Sequence, residues 1–164
     1  MAASDTKQAE AQADSGAGTA GDARAGEQFV EKFREAWAAP SPERLNALLH
    51  PEGRLRQPLE EDVVGLEQAE AMWKRLFSFV PDLRMEVLSW AAHGSTVFIE
   101  ARAIATFAGK PLEWQFVDRI ELEDGLVKER IAYFDSLPLA GKLLSHPAGW
   151  PGWVRANASR FRRR

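Results

Sequence analysis

The chain has 164 residues, 45 % of them apolar and 27 % charged, with a net charge of −3 and no cysteine. That length suits one domain with a real core plus tails. The charge gives no whole-chain attraction to nucleic acid or anionic membrane, and the missing cysteines exclude disulfides, thiolate nucleophiles and Cys-based zinc sites. No apolar run approaches the ~20 residues that span a bilayer, and the N-terminus lacks the apolar core of a signal peptide. A cytoplasmic protein is expected. Residues 1–25 carry no large apolar side chain after Met1, so they cannot offset their chain entropy and are read as disordered.

Order is expected from near Gly26. Phe29, Phe33 and Trp37, with Val30 beside them, form one stripe of an amphipathic helix. A short second helix restarts after Pro40 with Ser41 as its cap and Pro42 at the first position, carrying Leu45, Leu48 and Leu49. Short extended pieces are expected around Pro58. Leu66, Ala69, Met72, Trp73, Leu76, Phe77 and Val80 then recur at three- and four-residue steps, marking the longest helix, which Pro81 ends.

After Pro81 the period changes. Four strand-like runs follow, "LRMEVLSWAA", "STVFIEARAIATFA", "PLEWQFVDRIELE" and "LVKERIAYFD". His93-Gly94, Gly109-Lys110 and Asp124-Gly125 separate them as tight hairpin signals, so the runs form an antiparallel meander. Its apolar face needs a cover, which the upstream helices supply. The fold class is therefore α+β, with helices packed in a curved antiparallel sheet. The domain is expected over residues 26–145, with a Trp-containing basic tail over 146–164. From Lys142 onward there are six Lys and Arg and no acid. This tail reads either as a helix packing Trp150 and Trp153 on the domain before a solvated end, or as an amphipathic segment touching anionic lipid or RNA. The first reading is preferred, because so short a segment binds a membrane weakly, at ~1 kcal/mol per surface Lys or Arg.

Asp118 stands out. With a strand's period of two it shares a face with Leu112, Trp114, Phe116, Ile120 and Leu122, all apolar. Three readings stay open. It is a general base whose pKa is raised by desolvation; or it is a structural acid paired with Arg130, Arg102 or Arg119; or a β-bulge near Val117 turns it outward. Proton abstraction also needs donors for an enolate oxygen, for which Tyr133, Gln57, the Trp114 indole and Arg130 are candidates. Ala132 and Phe134 share a strand face with Arg130, which brings that guanidinium inward if the face is concave. His50, His93 and His146 have no ligand spacing, so no metal site is expected. There is no glycine-rich phosphate loop, serine elbow or RNA-recognition pattern.

The segments "FVDRIELEDGLVKERIAYFDSLPL" (116–139) and "RQPLEEDVVGLEQAEAMWKRL" (56–76) resemble the SnoaL-like group of the nuclear transport factor 2-like superfamily over about residues 26–145. The resemblance implies a cone-shaped α+β barrel, an apolar cavity, no cofactor and a homodimer formed through the outer sheet face. Its relatives include polyketide cyclases, ketosteroid isomerases and limonene-type epoxide hydrolases. The epoxide hydrolase pattern of an Arg two before the Asp, and an Asp on the last strand, meets Phe116 and Ala132 here. Two of three groups are replaced, which argues against epoxide hydrolysis. The His-Trp-Asp of many SnoaL-like proteins is Arg130, Ile131 and Ala132. Asp135 matches the family's strand-ending acid and is read as capping the next turn.

The expected site has Asp118 and Tyr133 as catalytic groups, with Gln57, Met72, Trp73, Leu76, Trp90, Trp114, Phe116 and Arg130 binding a small hydrophobic ligand. Cofactor-free isomerisation, cyclisation or dehydration of a carbonyl compound is the leading reading. The alternative is a non-catalytic ligand-binding or dimerisation module in which Asp118 is structural.

Overall fold

The apolar stripe at Phe29, Phe33 and Trp37 closes the hollow of a sheet. In the computed structural model, which describes residues 21, 23–58, 60–152 and 154–155, these residues lie on helix α1 (residues 23–38). Order thus starts before Gly26, while most of the segment expected to be disordered, residues 1–20 and 22, lies outside the described residues. The rings run in series, Phe29 to Phe33 at 6.2 Å, Phe33 to Trp37 at 6.2 Å, and Trp37 edge-on to Trp73 at 5.8 Å. Gly26 lets the helix approach the sheet, since a Cβ there would fall 2.6 Å from that of Ala92.

Helix α2 (Pro42–Asn46) starts as the sequence predicts, the Ser41 hydroxyl accepting from the Arg44 amide at 3.2 Å. It ends sooner than expected. Leu49 and His50 already belong to strand β1 (Leu49–Arg56), because the residue before Pro51 disfavours helix and Leu49 is taken up by pairing with Val127. Strand β2 (Val63–Val64) and helix α3 (Gly65–Phe79) follow. The α3 stripe buries Ala69, Met72 and Trp73.

The meander is β3 (Arg84–His93), β4 (Thr96–Phe107), β5 (Lys110–Glu123) and β6 (Leu126–Tyr133). Its Asp124-Gly125 turn has positive φ at both residues, 53° and 74°, the signature of a type I′ hairpin. The other two turns sit one residue away from the expected dipeptides. Pairing of His93 with Thr96 and of Phe107 with Lys110 puts them at Gly94-Ser95 and Ala108-Gly109. The sheet is larger than the four-stranded meander read from the sequence. It has six strands in the order β2-β1-β6-β5-β4-β3, with β1 parallel to β6. It curves without closing, and α1 and α3 pack on its concave face. Val97, Ile99, Ala101, Ala103 and Ala105 form the floor, all buried. The Asp135 carboxylate caps helix α4 (Ser136–Leu144), accepting from the Leu137 amide at 3.0 Å. A 3₁₀ turn (Pro147–Gly149) follows. Among the described residues no helix is long and apolar enough to cross a membrane.

Candidate functional site

Asp118 faces inward because nothing breaks the pleat before it. The β4–β5 register runs without interruption from Thr96–Glu121 to Phe107–Lys110, so the alternation of β5 survives and the outward reading of Asp118 is excluded. The irregularity on the β6 side comes later, between Glu121 and Leu122. Asp118 is completely buried. Its neighbour across the ladder is Ala132, and the diagonal residue two back on β6 is Arg130, which lies opposite Ile120. Arg130 Nε donates to Asp118 Oδ2 at 2.7 Å. The other carboxylate oxygen, Oδ1, is buried and has no hydrogen-bond partner among the described residues. Arg130 is itself 7 % exposed and its guanidinium lies 6.0 Å from the Phe116 ring centre. Of the three arginines considered for Asp118, Arg102 instead pairs with Glu86 at 2.6 Å, and Arg119 with Glu121 and Glu129. Loss of solvation by burial pushes the Asp118 carboxyl above its ordinary value, and Arg130 pulls back only part of that rise.

A cavity of about 580 Å³ opens beside this pair, enclosed by α3, the concave sheet face and the C-terminal segment. Seven of the expected ligand-binding residues line it: Gln57, Met72, Trp73, Leu76, Trp114, Phe116 and Arg130. Three expected site residues do not. Asp118 lies behind Arg130, off the cavity wall. Tyr133 is 54 % exposed; Arg130 and Ala132 take the concave face of β6, so the period of two sends Tyr133 to the convex side, next to Val117. Trp90 is also misassigned. A pairing irregularity between Val87 and Ser89 shifts the alternation of β3, and Trp90 packs against α1, 3.5 Å from where a Gly26 Cβ would be.

The sequence reading packed Trp150 on the domain but assigned no cavity wall to this end of the chain. Leu139, Leu143, Leu144, Trp150 and Val154 line the cavity, from a segment read as a turn and a tail. The signal was present in the four-residue step from Leu139 to Leu143, one stripe of a helix. The segment is fastened to the sheet in two places and braced once within itself. Gly149 lies flat on Phe107, so that a Cβ would come within 2.1 Å of the ring. Lys142 Nζ donates to the Glu113 carbonyl at 3.0 Å, and Trp150 Nε1 to the Leu143 carbonyl at 3.2 Å. Trp150 packs only partly, with 46 % of its surface exposed. The expected packing of Trp153 falls outside the described side chains. The cavity's other arginine, Arg75, is bound to Glu60 at 2.7 Å. Among the described residues no group of three His, Asp or Glu side chains is placed to hold a metal ion.

Comparison with known proteins agrees with this geometry. A family model described as a SnoaL-like domain matches residues 30–130. A protein of Jannaschia sp. CCS1 assigned as a SnoaL-like polyketide cyclase superposes with a TM-score of 0.65 at 22 % identity, over 74 % of this chain and 93 % of its own. A Catenulispora acidiphila protein with a ketosteroid isomerase-like fold gives 0.61 at 17 % identity, over 65 % and 85 %. An LEH-like epoxide hydrolase of M. tuberculosis gives 0.63 at 17 %, over 80 % and 91 %. At these identities the likeness establishes the fold alone, a cone-shaped α+β fold around a curved, open sheet. No curated protein matches the sequence.

Proposed function

The chain belongs to the SnoaL-like domain family, and from that premise we propose that it binds one small hydrophobic molecule in the cavity between α3 and the concave sheet face. The observation that carries this reading is the cavity itself. Its volume is in the range of small-molecule sites, and its walls are built from Met72, Leu76, Trp114, Phe116 and the C-terminal leucines. Burial of a ligand's hydrocarbon there contributes about 25 cal/mol per Å² removed from water. The test is native mass spectrometry of the purified protein, with thermal melts in the presence of hydrophobic ketones. One retained molecule per chain, or a melting temperature raised by such a compound, is the expected outcome. A chain that neither retains nor responds to any of them refutes the proposal.

One observation favours a second, catalytic reading, in which the family's acid–base chemistry (isomerisation, cyclisation or dehydration of a carbonyl compound) uses Asp118 as base. Its Oδ1 has no hydrogen-bond partner among the described residues, and burial keeps its affinity for a proton high, as abstraction beside a carbonyl requires. Against it, Asp118 reaches the cavity only past Arg130. Deuterium exchange at the carbon next to a bound ketone, followed by NMR, decides. Exchange that is present in the wild type and lost in Asp118→Asn supports catalysis, and no exchange in either leaves the binding function alone.

A homodimer through the convex face remains part of the proposal. Phe98, Val117 and Tyr133 stand exposed there, and light scattering of the eluted protein measures it.

A further inference from the structure

The polar end of the cavity is a guanidinium with an incomplete set of partners. Arginine offers five N–H donors in a planar fork and keeps its charge at any working pH. In Arg130 one of these, Nε, is spent on Asp118 at 2.7 Å. Nη1 and Nη2 make no hydrogen bond to any described residue. The side chain is nonetheless more than nine-tenths buried and lies on the cavity wall. These two nitrogens are not among the fully buried atoms without a partner; they open onto the cavity, where an acceptor supplied by a ligand can reach them.

The fork is also held in place. Asp118 holds it from one side, Phe116 lies 6.0 Å away, and β6 is an inner strand flanked by β1 and β5. The remaining charged groups on the wall, Arg75 and Glu60, are bound to each other. Arg75 keeps donors beyond the one given to Glu60, but its side chain is 22 % exposed against 9 % for Arg130, so Arg130 is the more buried of the cavity's two arginines.

We propose that the ligand of this cavity is a hydrophobic molecule with an anionic oxygen group at one end, a carboxylate or an enolate, which Arg130 binds through Nη1 and Nη2 while Asp118 acts as a positioning residue. This inference rests on the reading of the cavity as a ligand site and adds the polar group that the ligand carries. A planar pair of donors matches the two oxygens of a carboxylate or of a 1,3-dicarbonyl enolate. The arrangement also accommodates the extra negative charge, because Asp118, whose proton affinity burial has already raised, can take up a proton when an anion approaches its arginine.

Two dyes with the same aromatic body form the test, anilinonaphthalene sulfonate and neutral phenylnaphthylamine, titrated by fluorescence. The wild type is expected to bind the sulfonate one-to-one and more tightly than the neutral dye. In the double variant Asp118→Leu/Arg130→Met, which replaces the pair by apolar groups, sulfonate affinity falls by about tenfold or more and neutral-dye affinity is kept. Should that variant not fold, Arg130→Lys carries the test, since it keeps the charge and loses the fork; the same selective loss is expected, to a smaller degree. Equal loss of both dyes, or loss of neither, overturns the role of Arg130. A wild type that binds the neutral dye without preferring the sulfonate overturns the anionic end alone. A wild type that binds neither dye overturns the ligand site itself, and this inference with it.

Discussion

Two ion pairs join β5 to β6 one residue apart and face opposite ways. On the concave side Asp118 meets Arg130; on the convex side Arg119 meets Glu129 with the charges exchanged between the strands. The inner pair has a single contact of 2.7 Å and almost no solvent. The outer one is loose and shared. Arg119 reaches both Glu121 and Glu129 at 3.3 Å, Glu129 also meets Arg56 at 3.6 Å, and each of Arg119 and Glu129 keeps about a third of its side chain in water. The same chemistry therefore gives opposite electrostatics. Inside, desolvation dominates and the acid's pKa rises. Outside, the Ser95 hydroxyl and then Thr96 donate to Glu121 and lower its pKa, with Arg119 adding to the effect. Which face a charge occupies decides whether it is a specific group or part of a solvated surface.

The comparison breaks most sharply at Arg130. Arg130→Met strands a buried acid and is expected to cost about 3 kcal/mol of stability near neutral pH, read from urea denaturation. Adding Asp118→Leu should recover most of that loss, because an apolar pair of similar volume is about neutral or better than a buried ion pair. If the double variant is as unstable as the single one, the pair matters through packing and not through charge.

A smaller effect, with a sign, is expected for Asp118→Asn. The amide leaves Arg130 an acceptor and removes the charge, so the variant should lie within about 1 kcal/mol of wild type near neutrality. The pH dependence is the sharper readout. The folded-state carboxyl titrates above its ordinary 3.8, so between those two values the folded chain holds more protons than the unfolded one. The stability contributed by this group is complete below the unfolded value and is lost as pH rises through the folded one. The difference between the two proteins should thus move in favour of Asp118→Asn as pH rises above the ordinary carboxyl value of 3.8. The opposite slope means that Arg130 outweighs burial. The smallest effect is Arg119→Ala on the convex side, at most about 1 kcal/mol and less in high salt. A larger, salt-insensitive loss erases the contrast between the faces.

Much of this was legible in the chain. The alternation from Leu112 to Leu122 put Asp118 on the apolar face, and the stripes of α1 and α3 gave the cover. The family segments gave the cone. The misses have two causes, one local and one tertiary. The Tyr133 hydroxyl makes it a candidate donor, yet the period of two already puts it out of phase with Arg130. Trp90 was counted without the irregularity between Val87 and Ser89, which no local pattern announces. The parallel β1–β6 pairing and the cavity wall built from Leu139, Leu143 and Trp150 depend on contacts between residues far apart in sequence.

The sequence alone therefore determined the periods: where helices and strands run, which residues alternate, and that an acid must sit among apolar neighbours. Those follow from local geometry, a repeat of 3.6 or of two. Only the tertiary structure decided that Arg130, among three candidate arginines, holds that acid, and that the last described residues close the chamber beside it. Both depend on strand register and on the curvature of the sheet, set by the packing of distant side chains together.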